Sequence, residues 1–254
     1  MSTKTAPINP RIAERRSKVR EEQMRKRRRL FLVVIILIAF LAFAFYLTRT
    51  PILDVDTIEI NGATTLTTEE IYEASQIRYG EPLVSVNTGD AAANIRKIPV
   101  IDTATVQRKW DGHIIITVTE RTPVALAQHE DLRILRVDKD GRVLSQWNFG
   151  DPAFPLLGGV EVGEPGSFIE GSNGALEVAA LATPGVRSRL VSITQDENGQ
   201  ITAKLHPQGT VIFGSSADLP AKMTALRTLL GQVDQTDIAT INVSTPSTPV
   251  ITRL

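Results

Sequence analysis

The sequence predicts an α+β protein carried on a single transmembrane helix, with two folded units after it. Three observations predict this. Leu30–Leu47 (LFLVVIILIAFLAFAFYL) is an eighteen-residue run without a charge. Residues 53–121 alternate strand and helix signals in the order β-α-α-β-β. Residues 122–254 hold short alternating stretches split by Gly-containing turns, with one amphipathic helix near the end, the pattern of a mainly antiparallel β unit with a packed helix.

Taken in order, residues 1–29 form a basic tail. They carry eleven Lys/Arg and three Glu, a net of +8, which residues 30–254 balance with −8. Residues 1–24 are polar and contain Pro7 and Pro10, a composition expected to stay disordered. As a helix, 30–47 would be about 27 Å long, the thickness of bilayer hydrocarbon. Arg25–Arg29 (RKRRR) abuts it, so the positive-inside rule puts the tail in the cytoplasm and the C-terminus outside. Tyr46 stands where an interfacial aromatic belongs. A cleaved signal peptide is the rival reading, since Ala42-Phe43-Ala44 has a small-x-small pattern. That triplet lies inside the apolar run, however, and the basic region is long for a signal peptide. The tail's charges either simply fix orientation or bind anionic lipid headgroups; no aromatic is interleaved with them, which argues against a specific nucleic-acid site, and membrane lipid is expected around 30–47.

Residues 48–52 read as a linker. Val55–Ile60 alternates as a strand and ends in the turn pair Asn61-Gly62. Thr67 and Glu70 fit a capping box, stapled by Leu66 and Ile71, for a helix over 68–76. A second helix starts near Asn87, with Asp90 as its acidic N3 residue, and ends before Pro99. Thr103–Trp110 and His113–Glu120 read as strands joined by the hairpin pair Asp111-Gly112.

In the second unit, strands are expected over 124–128, 132–138, 143–147, 191–195, 201–205, 210–213, 239–243 and 249–252. A helix is expected over 175–182. Another carries Leu219, Met223, Leu226, Leu230 and Val233 on one face, capped by Asp218.

The chain resembles a known family at several points. Val55–Gly62, Ile98-Pro99-Val100, Val106–Trp110 and the Glu120-Arg121-Thr122-Pro123-Val124-Ala125 run resemble a POTRA domain of the bacterial cell-division FtsQ/DivIB family. Val137–Leu144, Phe154–Gly159, Phe213-Gly214-Ser215 followed by Leu219 and Lys222, and Ile241–Pro246 resemble that family's C-terminal β domain. Two positions depart from the pattern: Asp111 where many relatives have Pro, and Asn242 where Asp is usual.

The resemblance implies an essential-type divisome scaffold at the division septum that links and regulates septal cell-wall synthesis through protein contacts. It implies membrane partners of the FtsB and FtsL type, with septal peptidoglycan synthases as a further class. Carried over by position, the partner-binding candidates are Ile241, Val243, Thr245, Ser247, Val250 and Ile251, with Trp110 as a second surface. Relatives have aromatic residues in the C-terminal segment, and this chain has none.

Catalytic, cofactor and metal sites are not expected. There is no cysteine, and His113, His129 and His206 stand outside any metal-ligand spacing. Asp138-x-Asp140-Gly141 lacks the rest of a calcium loop and reads as a hairpin turn. No nucleophile elbow or phosphate-binding glycine loop is present, so no small-molecule substrate is expected. A membrane-tethered enzyme acting on peptidoglycan is the alternative from another class, and it would need a polar cleft that the sequence does not offer. An outer-membrane assembly protein would need a barrel region for which the chain is too short.

Overall fold

A computed structural model describes residues 27–43, 45, 54–232 and 237–254. The tail to Lys26, Ala44, Tyr46, Leu47, the 48–52 linker and Val233 lie outside the described residues. Residues 27–43 (α1) and Phe45 are helical, and the large apolar side chains described between Leu30 and Phe45 are exposed. Among the described residues, no helix is long and apolar enough to cross a membrane.

The first fold follows the expected element order: β1 (Thr57–Asn61), α2 (Thr68–Ser75), α3 (Thr88–Ile95), β2 (Ile101–Arg108) and β3 (His113–Glu120). Its strands form one sheet in the order β1-β3-β2. Local chemistry sets most boundaries. The Thr67 hydroxyl accepts the Glu70 N–H at 3.3 Å, and the Glu70 carboxylate accepts the Thr67 N–H at 2.8 Å. Those bonds hold the Glu70 carboxyl below its usual range. Asn87 caps α3 by accepting the N–H groups of Gly89 and Asp90. Gly62 has φ +89°, and a β-carbon there would lie 2.1 Å from the Val118 carbonyl oxygen, so only glycine fits. Alternation in β3 buries Ile114, Ile116 and Val118. The Asp111-Gly112 hairpin is wider than a two-residue turn, because β2 ends at Arg108 and Trp110 sits in the connection.

Glu120 ties the end of β3 to the β1–α2 loop. It accepts the N–H groups of Thr64 and Thr65 and, at 2.7 Å, the Thr64 hydroxyl. Partial burial pushes its pKa up, but these bonds outweigh burial and bring it down to about 2. A depressed folded-state pKa gives stability that is present above the unfolded value and lost as pH falls through the folded one. Glu120→Gln is therefore expected to cost about 1 kcal/mol at pH 7. The gap from wild type should close as pH falls from 4.5 toward about 2. Urea denaturation at several pH values reads this, and a gap independent of pH would remove the charge from the account.

The second fold is a nine-stranded sheet in the order β12-β11-β10-β9-β8-β7-β4-β5-β6. Its strands are β4 (Pro123–Gln128), β5 (Ile134–Asp138), β6 (Val143–Gln146), β7 (Leu156–Gly158), β8 (Leu190–Gln195), β9 (Ile201–Leu205), β10 (Thr210–Gly214), β11 (Ile238–Asn242) and β12 (Val250–Arg253). Most neighbours are antiparallel as expected, but β4–β7, β7–β8 and β10–β11 are parallel, which makes the sheet mixed. Helices α4 (Asn173–Leu181) and α6 (Leu219–Gln232) contribute Ala175, Val178, Ala179, Leu219, Met223, Leu226 and Leu230 to the core. Pro184–Arg187 forms a further short helix, α5. Asp218, expected to cap α6, takes φ +54°, and its carbonyl accepts the Lys222 N–H at 3.2 Å.

Arg121, just after β3, is a hub. Its guanidinium lies 2.8 Å from Asp138, 2.9 Å from Asp102 and 3.6 Å from Asp140. Its backbone N–H donates to the Val100 carbonyl at 2.7 Å. The Asp138-Lys139-Asp140-Gly141 segment is a hairpin turn, in which the Asp138 carboxylate accepts the N–H groups of Asp140 and Arg142. The chain divides into two compact units. One gathers the residues up to Thr57 with 78–86 and 108–114, and the other holds 58–77, 87–107 and 115–254.

Candidate functional site

β12 is an edge strand. Its inner side pairs antiparallel with β11, Ile241 opposite Ile251 and Asn242 opposite Val250, and no described strand pairs with its outer side. The Leu254 N–H donates inward to the Asp237 carbonyl at 3.0 Å. Along a strand, successive backbone groups point to opposite edges. The N–H and C=O groups of Ile251 and Arg253 therefore face outward, available to another chain.

The loop before β12 forms one wall of a groove of about 770 Å³. Pro246, Ser247 and Pro249 line that wall, and Ala221, Thr224, Ala225, Thr228 and Leu229 of α6 line the other. On α6 these positions recur at steps of three and four, so they make one helix face. The opposite face carries Leu219, Met223, Leu226 and Leu230 into the core. This second face is small and weakly polar, and so has no hydrophobic signal in the sequence. It becomes a groove only because a loop from twenty residues further on lies along it.

The predicted site residues divide in two. Thr245, Ser247 and Val250 are exposed, Val250 at 59%, and Ile251 is half-buried against the core. Ile241 and Val243 are 0% exposed. They are core residues that seat the strand, so neither can offer its side chain to a partner, which corrects their reading as contact residues. Val243 also donates its N–H to the Ile212 carbonyl at 2.9 Å. Asn242 holds the following turn, since its side-chain oxygen accepts the Ser244 N–H at 3.0 Å. That contact needs an acceptor and no charge, which an amide supplies as well as a carboxylate. Trp110 is 63% exposed, with the Arg108 guanidinium 4.8 Å from its ring centre.

Asp131, Arg133 and Glu164 form a surface ion-pair group, with the His129 ring nitrogen 2.9 Å from Asp131. In it Arg133 holds the Asp131 carboxyl down to about 2 by hydrogen bonding, against a smaller opposing push from desolvation. Among the described residues, no cluster of His, Cys, Asp and Glu is placed to hold a metal ion.

A β-α-α-β-β unit followed by a mixed sheet with an open terminal strand defines a POTRA-bearing protein. The family description "POTRA domain, FtsQ-type" matches residues 53–121, and "Cell division protein FtsQ/DivIB, C-terminal" matches 125–244. The chain is 31% identical to the cell division protein FtsQ of Streptomyces collinus, over 78% of this chain and 77% of that one. It is also 31% identical to FtsQ of Mycobacterium leprae and 29% identical to FtsQ of Mycobacterium tuberculosis, over 83% of this chain in each case. The chain spans only 59% and 64% of those two mycobacterial relatives. It belongs to the FtsQ/DivIB family of cell division proteins.

Proposed function

We propose that this chain is a non-catalytic scaffold of the division machinery that captures a membrane partner by adding the partner's strand to β12. The observation that carries the reading is the open outer edge of β12, beside the exposed Val250 and the α6 groove. Main-chain bonds to Ile251 and Arg253 supply affinity, while Val250, Thr245, Ser247 and the groove supply selection. The partners are divisome proteins of the FtsB and FtsL type, and through them the septal peptidoglycan synthases. Residues 30–47 cross the cell membrane once, with 1–29 cytoplasmic and the two folds outside at the septum. Confinement to the membrane raises the effective concentration of this edge toward other membrane proteins.

The test is capture of a partner of that type by the full chain in nanodiscs. Val250→Glu places a charge on an exposed position and leaves the core alone. It is expected to weaken capture at least about tenfold, a loss of roughly 1.4 kcal/mol, with the denaturation midpoint unchanged. Unaltered capture would take β12 out of the interface.

A further inference from the structure

The pole of the first fold at which the described chain enters, at Asp54, carries an unusual surface. Asp54–Thr57, the first described residues after the apolar run, are stitched to two loops. Val55 donates to the Glu81 carbonyl and accepts from Gly80, both at 2.9 Å, while Asp56 and Thr57 donate to the Gly112 carbonyl. Beside these anchor points three large side chains are exposed: Tyr79 at 57%, Val84 at 55% and Trp110. Arg108 joins two of their segments. Its guanidinium stacks on the Trp110 ring and donates to the carbonyls of Leu83 at 2.6 Å and Val86 at 3.3 Å. The indole is thus held outward on the β2–β3 connection, although burial is the usual fate of tryptophan.

We propose that this pole rests in the headgroup region of the bilayer that residues 30–47 cross, with Trp110 and Tyr79 as interfacial anchors. The inference rests on the membrane-spanning reading given above. Chain length argues for the occupant. Six residues separate Leu47 from Asp54, so the two lie at most about 25 Å apart, which keeps the entry point of the fold within reach of the lipid. Tryptophan and tyrosine favour that layer, being apolar in body and polar at one tip. Charge does not drive the contact. Arg78, Arg108 and Lys109 are offset by Asp54, Asp56, Glu81 and Asp111. Aromatic partition then makes the contact insensitive to headgroup charge.

Full chain reconstituted in vesicles of phosphatidylcholine brominated near the glycerol end tests this. The chain has two tryptophans, so Trp147→Phe leaves Trp110 as the sole indole and Trp110→Phe leaves Trp147. About half of the Trp110 emission should be lost and little of that from Trp147, equally with and without anionic lipid. A nitroxide on Val84→Cys, the sole thiol in the chain, gives a second reading that leaves both tryptophans in place. Oxygen should reach it more readily than a water-soluble nickel chelate does. Protein that stays in the vesicles through an alkaline wash with Trp110 unquenched overturns the anchor while leaving the span intact. Protein washed off the vesicles overturns both. Quenching that needs anionic lipid overturns aromatic partition in favour of charge.

Discussion

Replacing Arg121 with alanine is expected to lower stability by about 3 kcal/mol. Asp138 is 2% exposed. Its Oδ1 accepts the N–H groups of Asp140 and Arg142, while its Oδ2 takes Arg121 at 2.8 Å. Without the guanidinium, the nearly buried Oδ2 has lost its Arg121 partner, so part of its desolvation cost is left uncompensated. Asp102 and Asp140, which also face Arg121, then add like charge around it. For a fold of this size the loss corresponds to roughly 6–12 °C in Tm. Arg121→Lys should recover only part of the loss, because one ammonium cannot span three carboxylates as a planar fork does. Adding Asp138→Asn to Arg121→Ala should recover more, because it removes the stranded charge. A loss of stability under about 1 kcal/mol would reduce the group to an ordinary surface ion pair.

Ile251→Pro is expected to abolish partner capture, by about a hundredfold or more, in a protein that still folds. The Ile251 N–H faces away from β11, so proline there removes no internal ladder bond. Edge positions whose N–H faces solvent are where strands tolerate proline. An incoming strand would lose a donor and meet the ring instead, a combined cost of about 3 kcal/mol or two decades of affinity. Some apolar contact is lost as well, since Ile251 packs partly on the core, so a stability loss of about 1 kcal/mol should accompany the change. Thr252→Pro is the control. Its N–H points inward, and the same ring should detach β12 from the sheet. Capture that survives Ile251→Pro would show that the partner does not pair with this edge.

The contrast between Val243 and Val250 shows where sequence reasoning stops. Ile241-Asn242-Val243 and Val250-Ile251 look alike as short apolar alternations, and periodicity assigns each a face without saying which face is covered. Residues far along the chain settle it: β10 beside β11, and α6 in the same core, leave Val243 with no exposure and Val250 with more than half. β7 was not among the expected strands, and Phe154–Gly159 entered only through the family resemblance. Three residues carry too little alternation, and Leu156–Gly158 is a strand because β4 and β8 flank it. Trp110 was expected on a strand face, yet the wide connection after Arg108 turns it outward.

What the sequence determined by itself is what atoms within a few residues control. The Thr67–Glu70 box, the Asn87 cap, the two helix faces that enter the cores and the order β-α-α-β-β all follow from bonds and sterics that travel with the local chain. The tertiary structure alone decided the order of the nine strands, the burial of Ile241 and Val243, the α6 groove and the open side of β12. Each of those depends on a partner brought in from tens of residues away, and the free energy of that meeting is written in no single segment.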